Sequence, residues 1–312
     1  PFGFPNRILT GRYGGLLSFC SPEGESAAPG HVSPRLLAEL YRYRSITGST
    51  RLYGLIGNPA LHSRSPGIHN PAYARDGVDA VYLPFQVDDP AEWMRLAEEI
   101  KIEGFSVTVP HKEAVIPFLD TRDPALEAIG ACNTVVRLQD GWRGCNTDAD
   151  GFLAPLLPCL DGTEGATLSR AVVIGAGGAA KAALYALKSR GFEVLILNRT
   201  YSKAQELAER FGMQAAPLKP ESYPLIADYA QLVVQTTPAG MHPLEDENPL
   251  EGYRWRGTEI AYDLIYVPER TRFLDAAARA GARTLNGASM LQAQAEAQYR
   301  LFTGRAFPSQ ED

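Results

Sequence analysis

The run Val172-Val173-Ile174-Gly175-Ala176-Gly177-Gly178-Ala179-Ala180-Lys181 constrains this chain more than any other. Its β-branched start predicts a buried strand, its glycines a tight turn, and its alanines the opening of a helix. The same alternation continues on both sides. Upstream, strands are expected at 52–57, 80–84, 104–109 and 129–138, with helices at 66–76 and 90–100. Downstream, 194–197, 232–235 and 260–264 read as short apolar strands, and 179–190, 202–211, 270–280 and 289–301 as helices. Strands and helices alternating at this spacing predict an α/β fold with parallel sheets covered on both faces. The 312 residues exceed one ordinary core, so two domains are expected.

Residues 1–50 break the pattern. Glycine and proline are dense up to Pro34, around one apolar run, Leu16-Leu17-Ser18-Phe19-Cys20, which reads as a strand. Ser33-Pro34 is an N-cap followed by a first-turn proline, predicting a helix to about Arg44. Residues 45–51 read as a linker. The chain starts at Pro1 without a methionine, so residue 1 is expected to be an internal point of a longer product or the end of a trimmed one.

Composition removes several classes of function. Thirty Lys and Arg against 36 Asp and Glu give a net charge of −6, with no basic stripe. A nucleic acid or an anionic membrane is therefore not an expected partner. The longest apolar stretch, Ala171 to Leu187, is interrupted by Lys181 and falls short of the roughly 18 to 20 residues of a membrane span. Cys20, Cys132, Cys145 and Cys159 show no C-x-x-C spacing and the five His are scattered, so no metal site is expected. With no secretory signal at the start, the expected location is cytoplasmic, with reduced thiols.

The glycine turn carries the cofactor signal. Gly175, Ala176, Gly177, Gly178 and Ala179 let the backbone approach a pyrophosphate, which sits on free N–H groups at a helix N-terminus. The next strand ends in Asn198-Arg199-Thr200, where an NAD site would place a carboxylate for the ribose hydroxyl. Here Arg199 and Lys203 suit a 2′-phosphate instead, which favours NADP. The competing reading is a solvated helix start with ordinary surface cations.

Three upstream segments carry polar groups suited to chemistry. His62-Ser63-Arg64-Ser65-Pro66 sets two hydroxyls before a helix, suited to a small carboxylate or simply to capping. Ser106-Val107-Thr108-Val109-Pro110-His111-Lys112 ends a strand with a lysine, where α/β sites commonly lie, although a lone lysine is usually a surface charge. Cys145-Asn146-Thr147-Asp148 offers a carboxylate that suits a helix cap equally well. Together with Asn133 these residues outline a polar pocket.

These motifs, joined by Ile56-Gly57-Asn58-Pro59, His69-Asn70, Gly130-Ala131-Cys132-Asn133-Thr134, Gly240-Met241 and Met290-Leu291-Gln292-Ala293-Gln294, resemble the shikimate dehydrogenase family over residues 52–308. The resemblance implies NADP-dependent oxidation of the shikimate 3-hydroxyl, or the reverse reduction, in aromatic amino-acid (chorismate) biosynthesis. It implies Lys112 and Asp148 as the catalytic pair. Ser63 and Ser65 would hold the carboxylate with Tyr266 beside them, and Thr108, Asn133, Asp148 and Gln294 would line the ring hydroxyls. Gly287 would lie by the nicotinamide. The implied fold is a split α/β substrate-binding domain (51–148 and 288–312) around an inserted Rossmann NADP-binding domain (149–287), with the site in the cleft between them. Ser106 stands where many single-function members have Asn, and Gln235-Thr236-Thr237-Pro238 replaces a more usual Asn-Ala-Thr-Ser.

Residues 1–44 resemble the C-terminal end of a type I 3-dehydroquinate dehydratase, through Pro1–Leu9, Phe19 and Ser26-Ala27-Ala28-Pro29-Gly30, with Arg7 as that enzyme's carboxylate ligand. This implies a short remnant of a (β/α)8 barrel, as in bifunctional dehydratase–dehydrogenase chains. Its Schiff-base lysine and histidine are absent, so no dehydratase activity is expected. Alternatives are a quinate/shikimate dehydrogenase using NAD, part of a bifunctional chain, or a non-catalytic nucleotide-binding regulator. The small-molecule substrate is the expected partner. A homodimer is compatible with the sequence but not read from it.

Overall fold

The computed structural model describes residues 3–22, 30–160 and 168–309. Pro1, Phe2 and residues 26–29, which carry part of the dehydratase resemblance, lie outside them. The chain forms two compact units, 1–146 with 295–312, and 147–294. Asp148 and residues 288–294 thus belong to the second unit, and residues 1–50 to the first.

The first unit opens with helix α1 (Gly3–Arg12), which was not expected from so Gly- and Pro-rich a stretch. Its Phe4 and Ile8, four residues apart, are buried with Leu9 on the first sheet's core. Arg12 ties its end down, Nε donating to Thr50 O at 2.9 Å and Nη1 to Ile100 O at 2.7 Å. The strand expected at residues 16–20 does not form. Leu16, Leu17 and Phe19 are exposed, because no neighbouring strand among the described residues offers the hydrogen bonds that would hold them extended. Helix α2 (Pro34–Glu39) has Ser33 as its N-cap, accepting from Leu36 N, and is shorter than expected.

Strand β1 (Arg51–Gly57), helix α3 (Ser65–Arg75), strand β2 (Ala80–Gln86), helix α4 (Pro90–Glu99) and strand β3 (Gly104–Val107) follow in alternation. Strand β4 (Thr121–Arg122), helix α5 (Pro124–Ile129), strand β5 (Thr134–Leu138) and strand β6 (Gly141–Cys145) complete the sheet, in the order β2-β1-β3-β5-β6-β4. The expected all-parallel arrangement holds for β1, β2 and β3, but β5 runs antiparallel to both β3 and β6. A tight turn joins β5 to β6, and a connection that short can only return antiparallel. At that turn Gly141 has φ +131°, and Asp120 occupies the space a side chain would need. Alternation along β1 sends Leu52 and Ile56 to one core and Tyr53 and Leu55 to the other.

The second unit begins with α6 (Asp148–Leu153) and α7 (Leu157–Leu160). Then come β7 (Arg170–Ile174), α8 (Gly178–Ser189), β8 (Glu193–Asn198), α9 (Tyr201–Phe211), β9 (Gln214–Pro217) and α10 (Tyr223–Tyr229). It continues with β10 (Leu232–Gln235), β11 (Ile260–Asp263), α11 (Arg272–Arg279), β12 (Arg283–Leu285) and α12 (Ala288–Thr303). All its strand pairs are parallel, in the order β12-β11-β10-β7-β8-β9. This is the doubly wound Rossmann order, with its switch point between β7 and β10. Among the described residues no helix is long and apolar enough to cross a membrane.

Candidate active site

In the first unit the C-terminal ends of β1 and β3 lock together. Thr108 N donates to Ile56 O at 2.9 Å, and Asn58 N donates to Val109 O at 3.0 Å. Gly57 is needed there, because a Cβ on it would sit 2.3 Å from the Thr108 methyl. The chain then turns into α3, where Ser63 Oγ accepts from Ser65 N at 3.2 Å and donates to Ser65 Oγ at 3.1 Å. The N-cap position of α3 is Arg64, without a side-chain cap bond, so the paired hydroxyls form a serine turn ahead of the helix.

Lys112 and Asn133 come to the same edge. Cys132 N donates to Lys112 O at 2.7 Å, and Val107 N donates to Asn133 O at 2.8 Å. The turn before Lys112 is fixed by His111, whose Nε2 lies 2.7 Å from Val87 O. Thr134 Oγ1 donates to Asn133 Oδ1 at 2.8 Å, which orients the Asn133 amide. Thr108 and Lys112 are half-buried, and Asn133 is buried. Behind them runs a buried chain that was not anticipated: Tyr82 OH donates to Ser106 Oγ at 2.7 Å, and Ser106 Oγ donates to Gln298 Oε1 at 2.8 Å. Asn70 brackets the Tyr82 backbone, and the His69 ring stacks on the Tyr82 ring at 4.3 Å. Burial pushes His69 down to about 4. The signal for Gln298 was its place one helical turn beyond Gln294.

In the second unit Asp148 is buried at the first position of α6. Gly151, one turn on, lies against Gln294 and Met290 of α12. Asp148 and Gln294 therefore stand on touching helices. Gly287 donates from its N–H to Ile265 O at 3.0 Å, one residue before Tyr266. A Cβ on Gly287 would collide with Leu264 O at 2.1 Å.

The glycine turn has the form a dinucleotide needs. Gly175 (φ +117°) ends β7 at the switch point, and a Cβ there would meet Thr236 Oγ1 at 2.3 Å. Gly177 is the N-cap of α8, with no side-chain cap and nothing within 4 Å of a Cβ. Ala176, Gly178 and Ala179 are partly exposed beside it, so the turn offers open backbone at a helix N-terminus. Asn198 Nδ2 donates to Thr200 O at 2.9 Å at the end of β8. Arg199, Thr200 and Lys203 are exposed there at the start of α9.

An all-parallel Rossmann sheet with a glycine turn at its switch point defines a dinucleotide-binding α/β protein. The chain belongs to the shikimate dehydrogenase family, as an enzyme of its NADP-dependent oxidoreductase class. Residues 55–135 match the profile of the shikimate dehydrogenase substrate binding domain, and residues 162–259 that of shikimate / quinate 5-dehydrogenase. The shikimate dehydrogenase (NADP(+)) of Nostoc sp. is 40% identical, over 82% of this chain and 92% of its own. The bifunctional 3-dehydroquinate dehydratase/shikimate dehydrogenase of Arabidopsis thaliana is 35% identical over 99% of this chain, which spans only 53% of that protein. The solved shikimate 5-dehydrogenase of Thermus thermophilus, in complex with NADP(H) and shikimate, superposes with a TM-score of 0.73 at 35% identity, covering 83% of this chain and 95% of its own.

Proposed function

We propose that this protein interconverts shikimate and 3-dehydroshikimate with NADP. One observation carries the reading: the Ser63–Ser65 hydroxyl pair, Thr108, Lys112 and Asn133 gather on the segment that matches the family's substrate-binding profile. Two hydroxyls before a helix suit the carboxylate of a small acid. Thr108 and Asn133 offer neutral donors and acceptors for ring hydroxyls. Bound NADP supplies the hydride acceptor at its nicotinamide. As the C3 hydrogen leaves with its electron pair, the 3-hydroxyl proton passes to Lys112, whose charge stabilises the oxygen in the reverse direction. The family resemblance assigns Asp148 as the partner of that lysine and Gln294 as a ligand of a neighbouring ring hydroxyl. Gly175, Gly177 and Gly178 take the pyrophosphate, and Arg199 with Lys203 the 2′-phosphate.

The test is absorbance at the reduced nicotinamide band, with shikimate and quinate each offered against NADP and NAD. Turnover fastest with shikimate and NADP is the expected result. Quinate with NAD as the best pair would replace the reading with a quinate dehydrogenase, and no turnover with any pair would leave a nucleotide-binding regulator.

The similarity to the Arabidopsis protein, which extends across nearly the whole of this chain, supports a second reading as the dehydrogenase part of a dehydratase–dehydrogenase. An antibody against this sequence should then detect, in the source cells, a protein well above 33.9 kDa.

A further inference from the structure

The last residue of β11 is a buried carboxylate that the proposed mechanism does not use. Asp263 is fully buried. Its Oδ1 accepts from Ile265 N at 3.0 Å, and its Oδ2 accepts from Thr271 Oγ1 at 2.6 Å. Those donors sit at opposite ends of the loop that carries Tyr266. Thr271 is also the N-cap of α11, accepting from Leu274 N, so its hydroxyl joins the loop's exit to the helix while donating back to Asp263. The loop is closely packed elsewhere too: Leu264 N donates to Gln235 O at 3.0 Å, and Gly287 N donates to Ile265 O at 3.0 Å. Gly240 (φ +102°) lets Thr271 approach, since a Cβ there would lie 3.1 Å from the threonine Cβ.

A carboxylate kept out of water is costly unless its bonds are needed. Here the bonds from Ile265 N and Thr271 Oγ1 both run to one loop. We infer that Asp263 is a positioning residue, a staple that closes the 264–271 loop into a ring and thereby presents Tyr266 to the substrate. This rests on the reading of Tyr266 as a substrate contact. The charged acceptor matters because it takes two hydrogen bonds diverging from one group and strengthens both. An asparagine retains one acceptor for Ile265 N and offers an amide to the Thr271 hydroxyl, so it should keep most of the geometry.

The experiment is a double-mutant cycle on the purified full chain, read as KM for shikimate and KM for NADP. Tyr266→Ala and Asp263→Ala should each raise the shikimate KM about 10-fold or more, the equivalent of one lost hydrogen bond to a charged group. The double variant should be no worse than the worse single one, because Asp263 acts through Tyr266. Asp263→Asn should restore the KM to within about threefold of the wild type, a residue of less than one hydrogen bond. If Asp263→Ala does not fold, Thr271→Val removes the other end of the staple, should raise the same KM and should again show no added effect with Tyr266→Ala. Multiplying effects in the cycle would overturn the inference and leave Asp263 a general stabiliser. An unchanged KM in Tyr266→Ala alone would overturn both the inference and the reading of Tyr266. A Tyr266→Ala effect without any Asp263→Ala or Thr271→Val effect would overturn the inference alone.

Discussion

Gly151 lies so close to Gln294 that a Cβ added to it would be 2.9 Å from the Gln294 Cβ and 3.0 Å from Met290 O. Real side chains do not approach that closely, so α6 and α12 touch only because residue 151 has none. Gly151→Ala must push α12 outward or distort the Met290 turn. Overpacking of this kind costs about 1 to 3 kcal/mol. A lowered urea midpoint is expected, and kcat/KM should fall with it, since Asp148 and Gln294 ride on the displaced helices. A variant with unchanged midpoint and kinetics would show that the contact is easily relaxed.

Lys112→Ala should lower kcat by roughly 10² to 10⁴, the usual loss for a positioned acid–base group. The shikimate KM should change far less, because Ser63, Ser65 and Asn133 remain. Asp148→Asn should also lose kcat, and the double variant should be little worse than either single one if the two residues act as a unit. Near-normal turnover of Lys112→Ala would return the lysine to the surface.

Cofactor choice is expected to depend on Arg199. Hydrogen bonds to charged groups contribute about 1.5 to 3 kcal/mol, so Arg199→Ala should raise the NADP KM by roughly 10- to 150-fold. The NAD KM should hardly move, and the wild-type preference should weaken as salt rises, because Arg199 is exposed. Equal losses for both cofactors would mean that Arg199 contacts adenine instead.

His69 and Asp263 give stability opposite pH dependences. The His69 pKa is lowered by burial from 6.5 to about 4, so its contribution is present above pH 6.5 and is lost as pH falls through 4. A shift of that size is worth about 3 kcal/mol. The Asp263 pKa is raised by burial from 3.8 to about 6, so its contribution is present below pH 3.8 and is lost as pH rises through 6. Urea midpoints measured between pH 7.5 and 4.5 should therefore fall less steeply in His69→Phe than in the wild type, and more steeply in Asp263→Asn. Parallel curves for all three would show that neither group titrates differently on folding.

The second sheet was largely readable because its central strands are apolar runs, broken only near their C-terminal ends by Gln235 and Asp263. Val172–Ile174, Val194–Leu197, Leu232–Gln235 and Ile260–Leu264 each announce burial on both faces. Its edges were not readable. Gln214–Pro217 and Arg283–Leu285 are short, with exposed positions, and only the neighbouring strand makes them strands. In the first sheet residues 129–138 read as a strand, of which Thr134–Leu138 forms one, but β6 was not marked, because Gly141-Trp142-Arg143-Gly144-Cys145 has no strand-like alternation and its pairing comes from the turn. Conversely, Leu16–Cys20 has the composition of a strand and no partner to make it one. Of the proposed site, the serines, Thr108, Lys112 and the glycine turn were marked by their positions at strand ends and helix starts, and Asn133 by the family resemblance. Asp263 and Gly151 were not, because a staple and a missing side chain acquire meaning only from what packs against them.

Helix α12 has its first residues, Ala288–Gln294, in one unit and its remainder in the other. Tyr299 and Phe302 on that remainder fill the aromatic core of the first sheet, where Tyr53 donates its hydroxyl to Phe302 O at 2.7 Å. A ribosome delivers these two residues after every strand of both sheets. The sheet made first therefore waits longest for its own plug, while the second sheet has all six strands by Leu285. During synthesis the later-made sheet can close first, the reverse of the usual N-terminal-first order. A nascent chain halted before α12 would expose Tyr53, Tyr73 and Tyr82 to chaperones while its nucleotide-binding sheet is already assembled.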